Sequence, residues 1–282
     1  MKTRIITAAV ALAVFAPILY FSAEEPYKWV FPIFAALMGL VSSLEIVRCC
    51  SLYKRYVISV PAVLIFTLIP LGTRLFDNES EYLKTVILVF MLFVFYIFAC
   101  SVFSHGKAPI TDCCTALTVS AYACAGFCLL VFMRDLPGGA AFMFPLVFMG
   151  AWITDTGAYF AGVALGKHKL IPDVSPKKTV EGALGGIALT VISFAVYSFV
   201  ICRIYNYHTN YLSVVILAVI TAIISMIGDL IASLVKRHYG IKDYGKLFPG
   251  HGGVMDRFDS IIATSISLYT LVKISDFFVI FK

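Results

Sequence analysis

Charge is scarce in this chain. Of its 282 residues only 13% are Asp, Glu, Lys or Arg, whereas 61% are hydrophobic and the mean hydropathy is +0.94. A soluble domain carries about 25% charged and 45–50% apolar residues. A core of this size cannot hide so large an apolar excess, which excludes an ordinary soluble globular protein. Short segments of alternating polarity, the mark of transmembrane β-barrel strands, are also missing. So is any basic arm, or any patch of Lys and Arg interleaved with aromatics outside the apolar runs, which argues against a nucleic-acid partner. No C-x-x-C pair with a matching His set occurs, so the eight cysteines give little support to a zinc site. They read as small hydrophobes filling helices. No long internal repeat is evident, which weakens an inverted-repeat transporter.

What the chain does contain is apolar runs long enough to cross a bilayer, which needs roughly 20 apolar residues per helical span. Nine are readable, at approximately 5–22, 29–47, 57–73, 84–103, 112–133, 140–165, 180–202, 210–232 and 259–279. The expected fold is therefore all-α, a polytopic transmembrane helical bundle of about nine spans. The first run, behind Lys2 and Arg4, also has the pattern of a secretory signal; a retained helix is the favoured reading. With the N-terminus inside, the inner segments hold two basic residues in the tail, three in 48–56, one in 104–111, four in 166–179 and five in 233–258, fifteen of the 22 in all. That bias orients the protein with its N-terminus in the cytoplasm.

Polarity divides the spans. Residues 1–135 are almost purely apolar with charges at the helix ends, and read as a lipid-facing scaffold. From 136 to 282 ionisable groups lie within or beside the spans, namely Asp155, Asp229, Asp256 and Asp259. Such groups are expensive in hydrocarbon and face a cavity, a partner or water. Function is expected in this second half. Its small-residue clusters, GAYFAGVALG and EGALGGIALT, permit close helix approach.

The eighth run ends IISMIGDLIASLVKRHYG, where Asp229, Ser233, Lys236 and Arg237 recur at helical spacing. Residues three or four apart share a face, so an acid, a hydroxyl and two cations form one stripe. Headgroup anchoring explains the cations but not Asp229, which lies too deep to be left unpaired. Next comes KDYGKLFPGHGGVMDRFDS, residues 242–260. In its turn PGHGG, backbone N–H groups can approach an anion closely. Asp256, Arg257 and Asp259 follow. If a helix begins here, the two carboxylates share its first turn, flanked by Lys and Arg. That set suits a Mg²⁺–triphosphate, because Mg²⁺ takes carboxylate and phosphate oxygens while the cations neutralise the remaining phosphate charge. The plainer reading is a capped helix start in a salt-bridged loop. A third stretch, residues 155–182, sets Asp155 and Tyr159 a helical turn apart at the end of the sixth run. A basic loop with Lys167, Lys169, Lys177 and Lys178 follows, in which Ser175-Pro176 turns the chain and Thr179 caps the next helix.

The run SLVKRHYGIKDYGKLFPGHGGVMDRFD, residues 233–259, resembles the signature of the phosphatidate cytidylyltransferases (CDP-diacylglycerol synthases), and DTGAYF and SPKKTVEG resemble a second region of that family. Together these cover about residues 150–265. Val163 stands where members commonly have a basic residue and Val180 where Trp is usual. The resemblance implies a reaction of CTP with phosphatidic acid to give CDP-diacylglycerol and pyrophosphate. It also implies Mg²⁺ held by Asp229 and Asp256, K⁺ as a further ion beside it, Asp259 completing the acidic shell, and a homodimer. Ser233, Lys236 and Arg237 would bind phosphate groups, with Lys242 and the turn His251, Gly252 and Gly253 near the nucleotide. Arg257, Asp155, Tyr159, Ser175, Lys177 and Lys178 complete the expected substrate-binding set. The site would face the cytoplasm from the cell's inner membrane, where CTP meets a lipid kept in the bilayer. Two other readings compete with it: a CTP-dependent kinase of a lipid alcohol such as a polyprenol, and an ion-coupled transporter using Asp155 and Asp229. The first needs a base for a neutral hydroxyl, and the second fits poorly with charges gathered in a cytoplasmic loop.

Overall fold

The computed structural model describes residues 27–76, 78–104, 108–250 and 252–281, together with Ala13, Pro17 and Ile18. The first apolar run, 5–22, lies almost wholly outside the described residues, as does His251. The other eight runs are all α-helices: α1 Val30–Cys49, α2 Tyr56–Gly72, α3 Glu79–Phe103, α4 Ile110–Arg134, α5 Phe144–Leu165, α6 Val180–Tyr205, α7 Tyr211–His238 and α8 Met255–Ile274. The protein is an all-α polytopic helical bundle. Among the described residues six helical segments are long and apolar enough to cross a membrane: Tyr27–Cys49, Glu79–Phe103, Ile110–Arg134, Ala141–Leu165, Val180–Tyr205 and Tyr211–His238. Of the other two, α2 has only 17 residues, with Pro61 and Pro70 inside it. Helix α8 is diluted by Asp256, Arg257, Asp259 and several Ser and Thr.

Local chemistry explains two of the helix starts. Helix α3 is capped by Asn78, whose side chain accepts from Ser80 N at 2.8 Å. Helix α6 is capped by Thr179, as its sequence suggests, with Gly182 N donating to Oγ1 at 3.1 Å. Two differences from the sequence reading bear on the site. Helix α7 runs six residues past 232, to His238, because nothing in SLVKRH breaks it before Gly240 at φ +66°. Its three terminal basic residues also suit the negative helix end. The 166–179 segment is not a plain loop but a small antiparallel hairpin, β1 Lys169–Ile171 with β2 Ser175–Thr179, registered Lys169 to Thr179 and Ile171 to Ser175.

The chain divides into two compact units, one of Met1–Val131 with Tyr239–Arg257, the other of Phe132–His238 with Phe258–Lys282. The first packs α1 to α4 around buried Phe31, Phe66 and Phe127, and Phe93 meets the Phe66 ring edge-on at 5.7 Å. Tyr82 Oη donates to Ile69 O at 2.8 Å, tying α3 to α2. In the second unit α5, α6 and α7 pack on one another, most extensively α5 on α6. The small residues do what their clustering suggests. A Cβ on Gly186 would lie 2.8 Å from Thr154 O, and the hydroxyls of Thr154 and Thr190 meet at 2.7 Å across the same crossing.

Candidate active site

In the second unit the acidic residues converge. Asp229 on α7 is bridged by Lys178, Nζ to Oδ2 2.5 Å, and the same ammonium donates to Met226 O at 3.4 Å. The hairpin is what delivers that lysine: β2 ends at Thr179, which caps α6, so the residue before the cap is fixed in direction. Asp259 on α8 is 7% exposed, with its Oδ1 accepting from Ser260 N at 2.7 Å. Asp229, Asp155 and Lys236 all lie near enough to act electrostatically on its carboxylate. Gly228 makes the convergence possible. A Cβ there would sit 2.5 Å from Ala263 Cβ and 2.9 Å from Asp259 O, so α7 and α8 meet backbone to backbone beside the two acids.

In the first unit the loop before α8 forms a basin. A cavity of about 790 Å³ is lined by Lys242, Lys246 and Arg257, with Asp243, Phe248 and the glycine turn completing its wall. Its size is in the range of small-ligand sites, and three cations against one carboxylate suit a polyanion. The loop is held by Asp256, whose Oδ2 accepts from Tyr244 N at 2.7 Å and Gly253 N at 3.0 Å. Gly252 sits at φ +89°, and a Cβ there would fall 2.8 Å from Asp256 Oδ2, so this turn needs glycine twice over. Phe248 N donates to Gly252 O at 2.9 Å and closes it.

The sequence-derived residues thus fall into distinct places. Lys178 and Asp155 join Asp229 and Asp259, and Ser233 and Arg237 continue the α7 face with Lys236. Lys242, Gly252, Gly253, Asp256 and Arg257 belong to the basin loop. Ser175 and Lys177 sit on the hairpin, and Tyr159 is 66% exposed on α5 against Phe160, with no described contact to the carboxylates. Sequence reasoning missed Lys246, although it lies in the polar stretch singled out there. It also missed Glu45 on α1, 4% exposed, which accepts from Val254 N at 3.0 Å and Met255 N at 2.9 Å. Both were findable: Lys246 by counting every cation in the loop, Glu45 by asking what an acid does inside an apolar run.

The donor set bears on a metal. Among the described residues no three His, Cys, Asp or Glu side chains group as a closed metal cage. Mg²⁺ does not require one: it is held by one or two carboxylates and completed by water and substrate phosphates. Asp229, Asp256 and Asp259 each offer hard carboxylate oxygens, the donor chemistry that Mg²⁺ takes.

A polyanion-sized cationic basin, and the buried carboxylates Asp256 and Asp259, on a polytopic bundle suit one class: membrane enzymes of phosphate-group chemistry. The chain matches the model of the Cytidylyltransferase family over residues 2–275 and belongs to that family. It is a nucleotidyltransferase. It is 32% identical over 267 residues to a phosphatidate cytidylyltransferase of Staphylococcus haemolyticus, covering 93% of this chain and 95% of the relative. Proteins of the same name from Staphylococcus epidermidis and Staphylococcus aureus strain COL are also 32% identical, at the same coverage of both chains.

Proposed function

We propose that this protein joins CTP to phosphatidic acid, releasing pyrophosphate and forming CDP-diacylglycerol for phospholipid synthesis. Its similarity along 93% of its length to proteins named for that reaction carries the reading. In this account a phosphate oxygen of the lipid attacks the α-phosphorus of CTP. The bond to the β-phosphate breaks, and pyrophosphate leaves on the opposite side. A phosphate monoester, with a second pKa near ~6, is already largely ionised at neutral pH, so no strong base is required. What the protein must supply is alignment and charge neutralisation.

Lys242, Lys246 and Arg257 are suited to the CTP phosphates, with the His251, Gly252, Gly253 turn beside the nucleotide. We assign Ser233, Lys236 and Arg237 to further phosphate oxygens, and Asp229 and Asp256 to Mg²⁺, with Asp259 adding negative charge and K⁺ as an accompanying ion. Bound Mg²⁺ would neutralise charge on the leaving pyrophosphate. Lys178 neutralises Asp229 before substrates arrive and is then available to a phosphate. Asp155, Tyr159, Ser175 and Lys177 are assigned to substrate binding. Catalysis is thereby given to residues 136–282 and lipid-facing support to 1–135. We assign nine spans with an inner N-terminus, the first of them outside the described residues; this topology would put the charged loops at the cytoplasmic face of the cell membrane, where soluble CTP is found, and the protein is assigned as a homodimer.

Purified protein given dioleoyl phosphatidic acid, labelled CTP and Mg²⁺ forms a CMP-bearing lipid, and Asp229→Asn and Asp256→Asn each lower its rate of formation by about a hundredfold or more. Absence of product from the wild type, or undiminished product from either variant, would overturn the assignment.

A further inference from the structure

Glu45 has no role in the chemistry above, yet its burial demands one. It lies in an apolar helix, 4% exposed, where a carboxylate is costly unless it is hydrogen-bonded. Both oxygens are used: Oε1 accepts from Val254 N at 3.0 Å and Oε2 from Met255 N at 2.9 Å. These N–H groups belong to the start of α8, where the first backbone donors have no partner within the helix. A local Ser, Thr, Asp or Asn ordinarily accepts from them, but the residue before α8 is Val254, which has no acceptor. Glu45 of α1 thus caps α8 from 209 residues away in sequence, and its negative charge suits the positive helix end.

The same carboxylate touches the loop at a second place. The Cα atoms of Gly245 and Gly253 face Glu45 so closely that a Cβ on either would overlap its carboxylate. Gly245 lies on the incoming arm of the basin loop and Gly253 on the outgoing arm. A single side chain therefore fills a socket formed by both arms, beneath the wall that carries Lys242, Lys246 and Arg257. Asp256, which bonds to Tyr244 N and Gly253 N, closes the same two arms from the helix side. The loop is held between two carboxylates, one of them supplied by a helix that takes no other part in the site.

We propose that Glu45 is the positioning residue of the nucleotide loop: it sets the path of residues 244–255 and thereby the placement of the basin's cations. This rests on reading that basin as the CTP pocket. Glu45→Gln keeps the size of the side chain but turns an N–H donor towards one of the two N–H groups, so one bond is lost. Hydrogen exchange, which requires no turnover, should then accelerate in residues 244–256 by about tenfold or more, the lower end for losing a charge-assisted hydrogen bond, with the other helices unchanged. The KM for CTP should rise by a similar factor, while the KM for phosphatidic acid stays within about twofold, a split that general loss of stability does not produce.

Unchanged exchange in 244–256, or acceleration spread evenly over the chain, would overturn the proposal. If Glu45→Gln does not fold, Gly245→Ala, which crowds the socket from the loop side with the carboxylate intact, decides by the same readout: local acceleration supports the proposal and unchanged exchange refutes it. If the wild type makes no CDP-diacylglycerol, the enzymatic reading falls, while the exchange data still judge the Glu45 clamp.

Discussion

Asp229 and Lys178 form the contact on which the acidic locus depends. A carboxylate paired at 2.5 Å with an ammonium, both about a quarter exposed, is a modest contributor to stability. Its larger consequence is electrostatic, since Asp259 and Asp155 add negative charge nearby. Lys178→Met removes one of the two cations that oppose that charge, the other being Lys236, so the variant should turn over CTP more slowly by roughly tenfold, the scale of one close charge pair; steady-state rates at saturating lipid measure this. Asp229→Asn should lose about a hundredfold or more, as for a charged group acting directly on the reacting phosphates. Comparable rates for the two variants would place Lys178 on the same footing as Asp229. Asp229 is legible in the sequence because a lone acid in an apolar run needs an explanation, and Asp256 because it lies in the polar stretch 242–260. Glu45 obeys the same rule, but Arg48 three residues later makes it read as a helix-end charge, and its partners lie far along the chain. No periodicity records a contact between residues 45 and 255.

Among the elements, the eight helices are legible because continuous apolar runs leave little choice of conformation in a membrane, where the backbone must satisfy itself. The hairpin is not legible, because two strands of three and five residues carry no usable alternation. Yet the hairpin ends on Thr179, the α6 cap, and so directs Lys178. Thr179→Ala should cost about 0.5–2 kcal/mol as a lost cap, read from thermal unfolding in detergent, and should lower activity further than that loss of stability explains. The α7–α8 approach makes a second test. Gly228→Ala raises helix propensity by about 1 kcal/mol, but its Cβ would meet Ala263 Cβ at 2.5 Å. Overpacking of this kind costs typically ~1–3 kcal/mol. The account expects a net loss of stability with reduced turnover; a stabilised, fully active variant would show that α7 and α8 need no such closeness.

For the whole molecule, the arrangement suits a reaction between a soluble anion and a membrane-bound one. Helical spans keep the protein in the bilayer with the lipid, and the polar machinery is confined to α5–α8, the hairpin and one loop, with Glu45 as the contribution from α1. Composition alone indicates the membrane and the helical class, and the polar stretch 242–260 indicates phosphate chemistry. Only the folded chain shows that this stretch is a walled basin held by two carboxylates.

The central claim is that the group transferred to the lipid is cytidylyl, with pyrophosphate as the leaving group. The most direct measurement incubates the protein with phosphatidic acid, Mg²⁺ and CTP labelled in separate reactions on the α- or the γ-phosphate. The account predicts α-label in the lipid product, γ-label only in pyrophosphate, and equal amounts of the two products. Label from the γ-phosphate in the lipid would make the protein a kinase and contradict the account, as would CTP hydrolysis with no labelled lipid.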